Sequence, residues 1–224
     1  MGCTKALERT NRLLEIAKEG RAIPSVVAYS RSLLPFLVVL LQERSERVKI
    51  LDFGGGLGFT YIPVIYGCIE QSIDYHEAKK ICELGRHIFK NDPRIHFYTS
   101  LPKDLERVDI IHLGSLLQYI DDYKSLINTL TRYEPQYLLF TDLIAGDIPS
   151  YVTVQNYYGS KIPYRFFNIN EIIEVMASVD FRLIFKSTYI GTYLGKEQEV
   201  SQNNFHEEYR LGNTCILLFT RRNR

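Results

Sequence analysis

At the start of the chain Leu7, Leu13, Leu14 and Ala17 recur at helical spacing, and Gly20 interrupts the pattern. The spacing predicts an amphipathic helix that stops at Gly20. Pro24 and Ser25 open a second helix running to about Glu43, with a kink expected at Pro35. Its apolar run over 33–41 is far shorter than the roughly 20 residues a membrane span needs, so it reads as a core helix. From Val48 onward the pattern changes to short apolar runs alternating with amphipathic segments, as in a parallel sheet flanked by helices. Strands are expected at 49–52, 72–77, 95–98, 109–113, 137–141, 181–189 and 214–220, and helices at 60–66, 78–89, 122–131 and 170–178. Residues 191–213 are polar and carry no helical period, so the last two strands are expected to pair antiparallel. The expected fold class is α/β: a Rossmann-like, seven-stranded, mostly parallel sheet with an antiparallel last strand, plus N-terminal helices. Residues 1–46 form a helical extension or lid, and 47–224 a single structural unit.

Length and charge narrow the function classes. A chain of 224 residues closes its own core without staples. Its 27 Lys and Arg against 26 Asp and Glu give no global field for a polyanion, which argues against nucleic acid as a partner. The basic end "RRNR" reads as a solvated tail. Cys3, Cys68, Cys82 and Cys215 are scattered without a C-x-x-C pair, and no signal-peptide pattern precedes them, so a reduced, cytoplasmic protein is expected. "MGCTKA" places Ala6 where a myristoylation site wants Ser or Thr. His76, His87, His96 and His206 share no spacing with acids that suggests a metal site, and no metal is expected.

The stretch "VKILDFGGGLGFTYI" holds four glycines within five positions after an apolar run. A glycine-rich turn at the carboxyl end of a first strand lets backbone approach a nucleotide-like ligand. The dinucleotide pattern G-x-G-x-x-G fails, because Phe59 stands at its third glycine, and a phosphate loop fails because no Lys follows Gly58. What fits is D-x-G-x-G-x-G: Asp52, Gly54, Gly56 and Gly58, with Gly55 between. Asp52 is expected to hold the loop and bias the site toward an ammonium. A carboxylate at the end of the second strand can accept both hydroxyls of a ribose, and Glu77 lies in that place, with Asp74 the poorer choice and a first-turn helix acid the bland reading.

The glycine motif resembles the first motif of the class I S-adenosylmethionine-dependent methyltransferases. Taken together, "LDFGGGLG", "ICELGR", "LGSLLQYIDD" and "VTVQNYYGSKIPYRFFN" resemble a bacterial group of methyltransferases with DFGGGLG-type loops, associated with surface-polysaccharide gene clusters; the likeness covers 48–189. It implies S-adenosyl-L-methionine as cofactor, S-adenosyl-L-homocysteine as product, and a small-molecule or glycan acceptor. Within it, Gly114 and Ser115 join the cofactor-binding set, and Ser115 and Gln118 best match the group. One departure is "FTDLIAGD", which lacks the basic residue the group carries after Asp142.

On the acceptor side, His112, Asp142 and Tyr119 are the candidates for catalysis, with His112 inside "VDIIHLG" also reading as a hydrogen-bonded core histidine. The segment after Ser150 is rich in Tyr, Phe and polar groups. Tyr157, Tyr158 and Tyr164 are placed to stack on a flat or sugar acceptor, with Gln155, Lys161 and Arg165 placed to fix hydroxyls or an anion; an aromatic cover on the core is the alternative. Two other function classes stay open: a noncatalytic methyltransferase-like module that keeps the cofactor pocket, and an NAD(P)-dependent oxidoreductase, which Phe59 disfavours.

Overall fold

The structure is a computed structural model that describes residues 2–24, 27, 31–43, 47–67, 71–76, 79–105, 107–157, 159–190, 192–193, 196–197, 200 and 202–222. The chain divides into two compact units, Met1–His112 and Leu113–Arg224.

In the first unit, helix α1 (Gly2–Lys18) buries Thr10, Leu13, Leu14 and Ala17 along one stripe. Gly20, at φ +67°, ends the helix, its N–H returning to Ala17 and that of Arg21 to Ile16. Helix α2 (Leu33–Gln42) buries Leu34, Leu37, Val38 and Leu41, the i, i+3, i+4, i+7 face of a helix. The chain before Ser32, against which the expected kink at Pro35 is defined, lies mostly outside the described residues. Pro35 falls in the first turn after Ser32, where no intrahelical acceptor awaits its missing N–H. Ser25 and most residues up to Arg31 lie outside the described set, and so does the expected opening of this helix.

Four strands of this unit are parallel, in the order β3 (Ile95–Tyr98), β2 (Gln71–His76), β1 (Val48–Phe53), β4 (Ile110–Gly114). Val48, Ile50, Leu51, Ile110 and Ile111 are fully buried, since a parallel sheet covered on both faces needs apolar side chains on both. Lys49 and Asp109 fix the start of the β1–β4 pairing: each backbone N–H is held from the other residue, at 2.8 Å. Helices α3 (Ile62–Gly67) and α4 (Lys79–Ile88) follow β1 and β2. A Cβ on Gly85 would lie 2.3 Å from the Phe97 ring, so the glycine lets α4 lie close against β3.

In the second unit β12 (Thr214–Arg221) lies between β5 (Tyr137–Leu143) and β9 (Phe181–Tyr189), antiparallel to both. The expected antiparallel pairing of the last two long strands is thus observed. Helices α5 (Tyr123–Leu130) and α6 (Ile169–Ser178) are opened by side-chain caps, Asp122 accepting from the Ser125 N–H and Asn168 from that of Asn170.

The aromatic segment after Ser150 forms an antiparallel hairpin, β7 (Tyr151–Tyr157) and β8 (Ser160–Asn168), turning at Gly159 with φ +87°. Its β8 end also pairs with the short β6 (Ala145–Gly146). Tyr151 stacks on Phe166 at 4.7 Å, above a cluster of Ile144, Ile148 and Phe166. The polar stretch before β12 holds a small hairpin, β10 (Thr192–Tyr193) with β11 (Lys196–Glu197), and a 3-10 turn at Glu207–Tyr209.

Candidate functional site

Within the first unit the strand order reverses at β1. The chain moves from β1 outward to β2 and β3, then returns to place β4 on the other side. Ligands of open α/β sheets bind at such a point, outside the carboxyl ends of the strands. Asp52 and His112 are register partners there, on β1 and β4. His112 Nδ1 lies 2.9 Å from Asp52 Oδ1, and each residue is only 1% exposed. A buried carboxylate is costly without a partner, and this pair satisfies it while tying the two strand ends together.

The glycine loop begins one residue past the end of Asp52's neighbour Phe53. Gly54, Gly56 and Gly58 have φ of +78°, +63° and +76°, a region in which an L side chain is strained. A Cβ built on Gly56 meets nothing within 4 Å, so the loop leaves open space as well as demanding a special backbone. That combination fits a ligand laid against the loop. Phe59, immediately after it, lies between two guanidinium groups, Arg9 at 4.9 Å and Arg31 at 4.8 Å from the ring centre. Arg31 also donates to the Thr60 hydroxyl. The N-terminal helical segment is thereby latched onto the residues that follow the glycines. Glu77 lies outside the described residues, and Asp74 is placed on β2 opposite Leu51, its side chain likewise undescribed.

In the second unit Ser115 directly follows β4 and Asp142 is the penultimate residue of β5. Ser115 donates its backbone N–H to Thr141 at 2.9 Å and its hydroxyl to Asp142 Oδ2. Thr214 donates to Asp142 Oδ1 at 2.7 Å. Both oxygens of this carboxylate are therefore engaged by hydroxyls. Gly114 closes β4 just before Ser115.

A second cluster joins the turn at Leu117–Tyr119 to the hairpin. Tyr119 donates to Gln155 Oε1 at 3.0 Å, and its ring meets that of Tyr164 edge-on at 5.2 Å. Gln118, 4% exposed, hydrogen-bonds Tyr164, while its own Oε1 is buried without a partner. Burial, then the nearby Tyr119 and Asp142, push the Tyr164 phenol well above its ordinary value, so it is a neutral donor. Arg165 lies 5.8 Å from the Tyr123 ring and 3.4 Å from Asp121, with its Nε buried and unpaired. Gln118, Gln155, Tyr164 and Arg165 are thus gathered around one hairpin; Tyr158 lies outside the described residues, and Tyr157 is described in backbone only.

The sequence reading missed Thr214, which lies 72 positions from Asp142, and the Arg9–Phe59–Arg31 stack. Only Phe59 carried a signal, as the residue that broke the dinucleotide pattern. Among the described residues, no group of three or more His, Cys, Asp and Glu is arranged to hold a metal, and no helix is long and apolar enough to cross a membrane.

No protein-family model and no curated protein matches the chain. Solved structures do match in fold. A 1,6-didemethyltoxoflavin-N1-methyltransferase of Burkholderia thailandensis, with 1,6-didemethyltoxoflavin and S-adenosylhomocysteine bound, is similar at 13% identity and a TM-score of 0.59, covering 98% of this chain and 89% of that one. A SAM-dependent methyltransferase of Methanosarcina mazei is similar at 12% identity and a TM-score of 0.59, covering 83% and 98%. The magnesium protoporphyrin IX methyltransferase of Synechocystis PCC 6803, with bound SAM, gives 12% identity and a TM-score of 0.53, covering 85% and 79%. The chain has the Rossmann-like fold of the class I methyltransferases, a mixed sheet with a mostly parallel core and flanking helices.

Proposed function

We propose that this protein is a class I methyltransferase that binds S-adenosyl-L-methionine and methylates oxygen or nitrogen of a small or carbohydrate-linked acceptor. The observation that carries the reading is the loop after Asp52: three glycines in left-handed backbone, with open space above Gly56, at the point where the strand order reverses. Similarly folded proteins hold SAM or S-adenosylhomocysteine. We read the seven long strands as the seven-stranded sheet of that class, residues 1–46 as a lid latched through Phe59, and 47–224 as the methyltransferase domain. A cytoplasmic role in surface-polysaccharide synthesis rests on the motif resemblance alone.

When bound, the cofactor supplies a methyl group on a sulfonium that leaves as a neutral thioether. The chain has to orient rather than activate it. Gly54, Gly55, Gly56 and Gly58 would admit its amino-acid and ribose parts, Glu77 would accept the ribose hydroxyls, and Gly114 and Ser115 complete the set. Asp52, buried against His112, holds the loop rather than reaching out of it. Tyr119, Gln118, Gln155, Tyr164 and Arg165 would line the acceptor side. Asp142 is held by two hydroxyls and acts to position Ser115.

A noncatalytic cofactor-binding module is the second reading. It is favoured by one observation: His112 is buried against Asp52, and both oxygens of Asp142 are already engaged, which leaves neither poised as a base. Calorimetric titration with S-adenosylhomocysteine and NAD tests the binding. Saturation by the sulfur nucleoside alone is expected, and its absence at millimolar concentration rejects both readings. Methyl transfer to any acceptor then separates enzyme from module.

A further inference from the structure

Beside Thr214, whose hydroxyl holds Asp142, the second unit contains a groove of about 520 Å³ that the reading above leaves unused. Its walls come from the stretch after β5, the end of β9, the start of β12 and the loop that precedes it. This volume suits a sugar-sized ligand. At one wall Gly146 packs under Leu211, whose Cδ1 would lie 2.4 Å from a Cβ built there.

The loop wall is built rather than draped. Gln202, 3% exposed, accepts the Leu211 N–H at 2.7 Å and donates to the Tyr151 hydroxyl at 2.6 Å and to the Tyr209 carbonyl at 2.8 Å. Arg210 donates its Nε to the Phe205 carbonyl at 2.8 Å and one terminal nitrogen to that of Asn203 at 3.2 Å. These neutral carbonyls fix the guanidinium and leave its charge uncompensated. Lys186 lines the facing wall, and among the described residues neither cation forms an ion pair. The groove lining offers one carboxylate, Asp147, and a second, Asp142, stands behind Thr214 with both oxygens already engaged by hydroxyls, so Lys186 and Arg210 are the lining cations left to meet an incoming anion. Ser187, Thr188 and Asn213 add neutral hydrogen-bonding groups.

We propose that this groove is an acceptor subsite for a sugar-sized molecule carrying an acidic group, a carboxylate or a phosphate, held between Lys186 and Arg210. The proposal rests on the methyltransferase reading only for the word acceptor; the anion site stands or falls by itself. It gives the acceptor a charge to be recognised by and a handle outside the aromatic hairpin.

The test is equilibrium binding to the full chain of three probes, glucose 1-phosphate, glucuronate and glucose, with S-adenosylhomocysteine titrated separately. At least one of the two acids should bind tenfold or more tightly than glucose and weaken as salt is raised. Which acid binds tells phosphate from carboxylate. Lys186→Glu should abolish the preference, and Asp147→Asn should strengthen acid binding at least twofold, while both variants keep S-adenosylhomocysteine affinity within twofold. Lys186 is an exposed side chain, so its replacement leaves the fold intact, and Asp147→Asn gives a gain that a damaged protein cannot mimic. Equal binding of all three probes, or an acid preference that survives Lys186→Glu, overturns the proposal. Acid binding without any nucleoside binding keeps the groove and removes the methyltransferase reading; the converse does the opposite.

Discussion

Ser115 and Asp142, 27 positions apart, share one hydrogen bond and one unusual backbone state: the serine hydroxyl donates to Asp142 Oδ2, and the two residues have φ of +51° and +53°. Non-glycine residues rarely adopt this region, and the neighbouring structure has to hold them there. Here the Thr141 carbonyl holds the Ser115 N–H and Thr214 holds the second carboxylate oxygen. Strain and side-chain bonding therefore separate by mutation. Ala at either position removes the bond and keeps the strain, whereas Gly removes both. Each Gly variant should be about 1 kcal/mol more stable than its Ala counterpart. Urea unfolding of the four single variants checks this, and equal stabilities would show that the positive φ carries no cost.

Gly56 offers the opposite case, a strained position with room above it. Gly56→Val should cost about 1–2 kcal/mol of stability from backbone alone, since no atom stands within 4 Å of the new Cβ. The valine side chain would instead fill the space assigned to the cofactor. S-adenosylhomocysteine affinity should fall tenfold or more at a temperature where the variant is fully folded. Retained affinity in calorimetry would move the cofactor away from this loop.

The hairpin cluster predicts a different split. Tyr164→Phe keeps the ring against Tyr119 and Phe166 and removes the hydroxyl that Gln118 holds. Gln118, whose Oε1 already lacks a partner, then loses the other half of its bonding. The cost should be about 1–2 kcal/mol, the range for stranding a buried polar group. Cofactor affinity should stay within threefold, because the cluster is assigned to the acceptor. A tenfold loss of nucleoside binding would contradict that assignment.

Alkaline stability should report on β12. Burial, partly offset by Lys186 and a bond to Ala145, pushes the Cys215 thiol up from 9.0 to about 12. Burial likewise pushes the Tyr151 phenol up from 10.0 to about 12, against a lowering bond from Gln202. For a group whose folded pKa is raised, the stabilisation is complete below the unfolded pKa and is lost as pH rises through the folded one. Stability should therefore begin to fall above pH 9 and continue toward pH 12. In Cys215→Ala the decline should start later, above about pH 10, where the Tyr151 phenol ionises in the unfolded chain but not yet in the folded one. Urea midpoints at a series of alkaline pH values distinguish the two curves, and superimposable curves would remove Cys215 from the account.

The sequence determined the local elements. Each expected long strand is present within a residue or two, because a buried strand must be written as a run such as "VKIL" or "CILLF" whatever it pairs with. The glycine loop was legible for the same reason: a backbone that needs positive φ at Gly54, Gly56 and Gly58 has to record that need in residue type. The antiparallel last pair followed from the missing helix between β9 and β12. What the sequence did not contain were partnerships between distant residues. Nothing local in Asp52 says that its carboxylate is spent on His112, 60 positions away, nor in Thr214 that it completes Asp142. Strand register decides both, and register comes from the packing of the whole sheet. The hairpin of β7 and β8 was read as an aromatic segment, because Tyr, Phe and polar groups interleave there without a clean period of two. Its alternation becomes visible only once Tyr151, Tyr164 and Phe166 are packed against the core on one face, leaving Val152 and Val154 exposed on the other.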